Sequence, residues 1–170
     1  MSTPKTIVLT FSTLGAAMTL AAIATAQVPN SIAATQGETA VLKAHAEGAQ
    51  VYECKAGTDG NLAWQFREPI ATLVVDGKTI GRHYGGPSWE LVDGSAVVGK
   101  AVGDAPGTGA NDILWLKLNM VAERGKGTLT GVTTVQRINT QGGKLNGVCD
   151  AVGALKAVSY AADYIFLRKD

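Results

Sequence analysis

Alternation with period two, broken at short intervals by glycine, is the feature that most restricts this chain. Side chains on a strand point to opposite faces in turn, so such a pattern describes half-buried strands and not amphipathic helices. Leu62, Trp64 and Phe66 share one face, with Ala63 and Gln65 opposite. Along 113–121, Leu114, Leu116, Leu118 and Met120 fall on one side, and Ile113, Trp115, Lys117 and Asn119 on the other. In 49–55, Val51 and Glu53 oppose Tyr52 and Cys54. The run 70–75 is apolar throughout, too short for a typical helix and rich in β-branched residues.

Turn chemistry separates these runs. Asp76-Gly77 and Asp93-Gly94 are hairpin signals, each between two strand-like segments. Residues 103–111 read as a loop and 124–127 as a further turn, followed by a strand over 128–138. Only 150–164 admits a helix, and it reads equally as a loop leading into a closing strand. The expected fold is therefore all-β. An antiparallel β-sandwich or partly closed β-barrel of about 8–10 short strands in a single domain fits best. A parallel α/β architecture lacks the helices it needs between strands.

Residues 1–26 carry a different message. Lys5 precedes an apolar stretch from Ile7 to Ile23, and Ala24-Thr25-Ala26 is a small-x-small cleavage pattern ahead of Gln27. The expectation is a signal peptide over 1–26 and an exported β-domain over 27–170, secreted or periplasmic. Removing Lys5 from the 15 basic residues leaves 14 against 14 acidic ones. That balance argues against a nucleic-acid partner, and no later run could span a membrane as a helix. In an oxidising compartment the two cysteines, Cys54 and Cys149, read as one structural disulfide.

Chemistry-bearing residues concentrate in 80–94, where Arg82, His83, Tyr84, Trp89 and Glu90 surround Gly85-Gly86-Pro87. If Gly86-Pro87 centres a two-residue hairpin, His83 pairs with Glu90 on one face and Tyr84 stacks on Trp89 on the other. A carboxylate beside an imidazole would raise the histidine's pKa and set its tautomer. These five residues are the ligand-binding candidates. Trp64 and Trp115 are further aromatic candidates. No metal is expected, since His45 and His83 are the chain's two histidines and no HxH, HExxH or DxDxDG pattern occurs. No cofactor is expected either: GxGxxG and Walker patterns are absent, as is the GxSxG elbow of a serine hydrolase. Gln136-Arg137 and Asp163-Tyr164 read most simply as polar strand positions.

An ordered set of short motifs carries a resemblance. Gln50-Val51-Tyr52-Glu53-Cys54-Lys55-Ala56, Gly81-Arg82-His83-Tyr84, Pro87-Ser88-Trp89-Glu90, Asp93-Gly94-Ser95, Ile113-Leu114-Trp115-Leu116, Gln136-Arg137-Ile138-Asn139-Thr140, Gly142-Gly143, Cys149-Asp150 and Tyr160-Ala161-Ala162-Asp163-Tyr164 occur in that order. The series resembles secreted bacterial and fungal proteins grouped as domain of unknown function 3455, over roughly 39–168. That likeness implies an exported domain and no particular mechanism. Some members carry the label malate dehydrogenase, which the absence of a dinucleotide fingerprint and of βα alternation does not support. The leading functional expectation is a non-enzymatic exported β-domain binding a small molecule, a glycan or a surface component. The alternatives are a hydrolase- or lyase-type enzyme using His83 with Glu90, and a purely structural envelope protein.

Overall fold

The structure is a computed structural model that describes residues 27–170. The segment expected to be cleaved, 1–26, lies outside the described residues. Eight strands follow in chain order: β1 (Glu38–Ala56), β2 (Leu62–Val75), β3 (Lys78–Tyr84), β4 (Ser88–Leu91), β5 (Ala96–Ala105), β6 (Trp115–Arg124), β7 (Val132–Gly142) and β8 (Leu155–Lys169). Each pairs antiparallel with its sequence neighbours, and β8 returns to pair with β1. One sheet therefore closes into a ring, β1 through β8. Closure removes the unpaired edges that a sandwich of these strands would have had to protect.

The expected hairpins form at Asp76-Gly77 and at Asp93-Gly94. Two strands are longer than the short runs expected from the sequence. Segments 39–46 and 49–55 merge into β1, and 62–66 and 70–75 into β2. The bulge between Val51 and Tyr52 absorbs the change of phase within β1, so one strand carries two offset alternations. The ambiguous 150–164 resolves as a loop followed by β8, with Gly153 at positive φ before the strand starts. Among the described residues there is no α-helix, and no helix is long and apolar enough to cross a membrane.

The inward side chains of the ring form the main core. Ala44, Ala46, Leu73, Trp89, Leu91, Leu118, Leu129, Val135, Tyr164 and Phe166 are all buried there. Small residues on β1 leave space for the large aromatics opposite, as the interior of an eight-stranded ring requires. Gly99 on β5 serves the same end: a Cβ there would lie 3.1 Å from Trp89 Cζ3.

A second, smaller core lies outside the ring. Residues 28–33 cross β5, β6 and β7 as a strap and seal Ile32 against Ala105, Trp115 and Ile138. Gln136 Nε2 donates to the Ile32 carbonyl at 2.6 Å, and Lys117 Nζ to the Ala33 carbonyl at 2.9 Å. This explains why Trp115, on the polar phase of its strand, is nonetheless only 4% exposed.

Cys54 and Cys149 form the disulfide, with Cα atoms 5.9 Å apart and a sequence separation of 95. Cross-linking so long a loop restricts the unfolded chain by about 4–5 kcal/mol in the chain-entropy relation. Locally, the bond ties the 143–154 segment to the ends of β1 and β2, where Ala63 also bridges to Val148.

Candidate functional site

The turn at residues 85–87 decides where the predicted site residues lie. A type I′ two-residue turn needs positive φ at both central positions, which the ring of Pro87 forbids. The chain instead uses three residues, Gly85, Gly86 and Pro87, with Gly86 at φ +129°. Ser88 Oγ closes the loop by donating to the Gly85 carbonyl at 3.0 Å. One extra residue moves every pair by one: His83 lies opposite Trp89, Arg82 opposite Glu90, and Tyr84 opposite Ser88.

The expected His83–Glu90 pair is thereby overturned, as is the Tyr84–Trp89 stack. His83 and Trp89 point inward and stack on each other, ring centroids 4.6 Å apart and planes 12° from parallel. Tyr164 leans against both, at 5.0 Å from His83 and 5.5 Å from Trp89. His83 Nδ1 donates to the Ser88 carbonyl at 2.8 Å, which leaves Nε2 as an unprotonated acceptor. Burial, with a smaller contribution from the Arg137 charge, brings the imidazole down to a pKa of about 4. The ring is neutral at physiological pH, the opposite of what a neighbouring carboxylate would have produced.

Glu90 faces outward. Its Oε2 accepts from Arg82 at 3.1 Å, Arg124 at 3.0 Å and Tyr84 Oη at 3.0 Å. Those bonds, Arg82's first, hold its carboxyl below the usual carboxylate range. Arg82 also covers the Tyr84 ring, 5.0 Å from its centroid. The five candidates thus split into an inner pair, His83 and Trp89, and an outer trio, Arg82, Tyr84 and Glu90. An acid–base dyad of His83 with Glu90 does not form. The tryptophans do not make a common platform either. Trp89 is in the ring's interior, Trp115 under the strap outside it, and Trp64 opposite Cys54 with Lys156 Nζ 5.9 Å above its ring.

The inner pair borders an open cavity of about 570 Å³ at the end of the ring where turn 85–87 and loops 106–114 and 143–154 converge. Tyr52, Phe66, Pro69, Leu116, Leu118 and Tyr164 supply most of its apolar wall. The Tyr52 hydroxyl, donating to the Gly143 carbonyl at 2.7 Å, pins the 143–154 loop along the rim. Asp112 holds the neighbouring loops by accepting from the amides of Gly109 at 2.6 Å and Gly142 at 2.7 Å.

Arg137 reaches into this cavity from β7. The sequence pattern presents it as an ordinary polar strand position, as it does Tyr164. The alternation could have exposed both. Val135 and Arg137 share a phase on β7, and Tyr164 shares one with Ala162 and Phe166, so a core-facing strand face carries a guanidinium. Arg137 Nε and Nη2 donate to the Leu114 carbonyl at 3.1 and 2.8 Å. Among the described residues no carboxylate pairs with it. Its positive charge is felt at Tyr52, Tyr160 and Tyr164, where it opposes the upward push that burial gives each phenol. Lys144 adds positive charge at the mouth and Asp112 a carboxylate, while Arg67, also there, is paired with Glu68 at 3.2 Å.

The family model described as Protein of unknown function (DUF3455) matches residues 34–168. The chain belongs to that family. The matched span takes in the eight strands, save the last residue of β8, and the cavity, but starts just after the strap residues 28–33. No curated protein and no solved structure matches the chain. The family assignment therefore agrees with the motif series and assigns no activity, so the function has to be argued from the cavity itself.

Proposed function

We propose that this chain is an exported binding protein that takes a small, largely apolar molecule into the open end of its ring. The observation that carries this reading is the cavity of about 570 Å³, within the size range of small-molecule sites and walled by aromatic and aliphatic side chains. An eight-stranded ring has an interior just wide enough either to fill with side chains or to hold one small ligand. Here the two ends differ. Leu129, Leu73 and Phe166 are fully buried, whereas the opposite end is left open and ringed by loops.

A binder is favoured over an enzyme because the inner face offers a neutral, stacked histidine and no carboxylate beside it. A glycan platform is disfavoured because the three tryptophans lie on separate surfaces. Export is supported by the Ala24-Thr25-Ala26 pattern and by the long-range disulfide, which suits an oxidising compartment. The test is titration of the mature chain with N-phenyl-1-naphthylamine, a neutral dye that brightens in apolar surroundings. Saturable brightening at one site is expected, together with quenching of tryptophan emission. Leu116→Trp, which fills the cavity from its wall, should abolish it. Dye binding that survives Leu116→Trp unchanged in a folded protein would refute the reading.

A further inference from the structure

The cavity's polar groups are unevenly chosen, and the imbalance specifies a ligand. Gln50 is 2% exposed, lines the cavity, and its Nε2 has no hydrogen-bond acceptor. It lies against the Tyr160 hydroxyl without reaching hydrogen-bond geometry. Trp89 is 1% exposed, borders the same space, and its Nε1 is likewise without an acceptor. Arg137 gives two N–H groups to the Leu114 carbonyl and lies against the Tyr164 hydroxyl, which leaves further N–H groups of its guanidinium to meet a ligand. A buried donor left unpaired costs about 1–3 kcal/mol, so a protein retains two in one cavity, Gln50 Nε2 and Trp89 Nε1, at a sizeable expense. All of these unmet groups are donors, and Arg137 brings a positive charge into the same cavity.

We infer that the ligand is an apolar monocarboxylic acid, with its carboxylate on the Arg137 guanidinium and the Gln50 amide and its hydrocarbon or aromatic body against Trp89, Leu116 and Leu118. A carboxylate has the acceptors that this donor set lacks, and a guanidinium presents paired N–H groups in matching geometry. In the low-dielectric wall of the ring that contact is worth more than it would be in water. Lys144 at the mouth, with Arg137 deeper in, would draw such an anion in. The imidazole of His83, neutral and offering only an acceptor at Nε2, places no like charge in the ligand's path and is consistent with an apolar body beside it. This inference rests on the cavity reading above and adds the chemical class of the occupant.

The experiment displaces bound N-phenyl-1-naphthylamine with decanoate and, in parallel, with 1-decanol, on the mature chain at neutral pH. Decanoate is expected to displace the dye at concentrations at least about tenfold lower than decanol, although the alcohol is the less soluble of the two in water. In Arg137→Gln that acid-to-alcohol ratio, read against each protein's own dye affinity, should collapse to parity or invert. Arg137→Lys should keep part of it, because a point charge remains without the planar fork. Should Arg137→Gln fail to fold, Gln50→Leu tests the second contact and is expected to lower the ratio several-fold. Equal displacement by acid and alcohol in the parent chain would overturn the inference while leaving the cavity reading in place, as would displacement by neither. Absence of dye binding would overturn both.

Discussion

The two faces of the β3–β4 ribbon, whose strands are seven and four residues long, use neighbouring residues in opposite ways. On the inner face His83 and Trp89 are 2% and 1% exposed, stacked, and neutral. On the outer face Arg82, Glu90 and Tyr84, joined by Arg124 from β6, form a charged cluster open to solvent. Residues adjacent in sequence are therefore in environments where the same charge has very different consequences. On the inside, a proton on His83 would have to be buried without a counter-ion. On the outside, the charges of Arg82 and Glu90 are screened and their removal is cheap. Chemical content in a strand belongs to a face, and a cluster of reactive residue types in the sequence is divided by the pleat before it can become a site.

The largest separation of the two faces should come from Trp89→Ala. The side chain is fully buried against His83, Tyr164 and Phe166, and its removal leaves a void those rings cannot close. A loss of about 3–5 kcal/mol is expected by chemical denaturation. Tyr84→Ala on the outer face should cost well under that. Comparable losses for the two would break the inner–outer distinction.

The next contrast is pH. His83 sits at about 4 in the folded chain against 6.5 as a free imidazole. Because the folded value is depressed, the unfolded chain takes up a proton first as pH falls, and stability declines between about 6.5 and about 4. Over the whole window the loss amounts to about 3 kcal/mol. Glu90 behaves differently: its carboxyl is also held low, so its contribution is complete above 4.5 and is lost only as pH falls through its folded value. Stability measured from pH 7 to pH 4 should thus slope downward in the parent chain. His83→Asn, which can still donate to the Ser88 carbonyl, should flatten that slope. Glu90→Gln should leave it untouched. A parent chain equally stable at pH 7 and pH 4.5 would show that His83 is not buried as a neutral ring.

These two faces also mark what could be read from the sequence and what could not. The strand class, the Asp-Gly hairpins, the Leu116–Leu118 phase and the Cys54–Cys149 bond all depend on local pattern or on elimination, and all are present. The ring closure is a pairing between the first and last strands, β1 with β8, and no local signal encodes a contact between Glu38 and Lys169. The site failed at a smaller scale. A single extra residue in a proline-containing turn exchanged the partners of His83, and period two converts a one-residue error into the wrong face. Arg137 was passed over for another reason: a charged residue at an inward phase looks like an exposed one until the sheet's interior is known to be hollow at that end. The strap has no comparable local signal, because Val28 and Ile32 are scattered apolar residues in 27–38 and only the outward Trp115 gives them something to cover.

The smallest expected effect is the most useful for deciding whether the outer face has a function of its own. Glu90 Oε2 gathers three donors, and the two guanidinium groups of Arg82 and Arg124 approach each other only because that carboxylate lies between them. In Glu90→Gln an amide oxygen can still accept from one of the donors, while the guanidiniums lose their counter-charge. Both arginine side chains are about two-thirds exposed, so solvent and ions take over much of what the carboxylate did. The expected result is a slight fall in melting temperature at low ionic strength that disappears in concentrated salt, with unchanged dye binding in the cavity. A fall that persists in salt would mean the cluster braces the ribbon more firmly than its exposure suggests. Loss of dye binding would be more consequential, because the two faces would then be coupled through β4, and the outer trio would belong to the site after all.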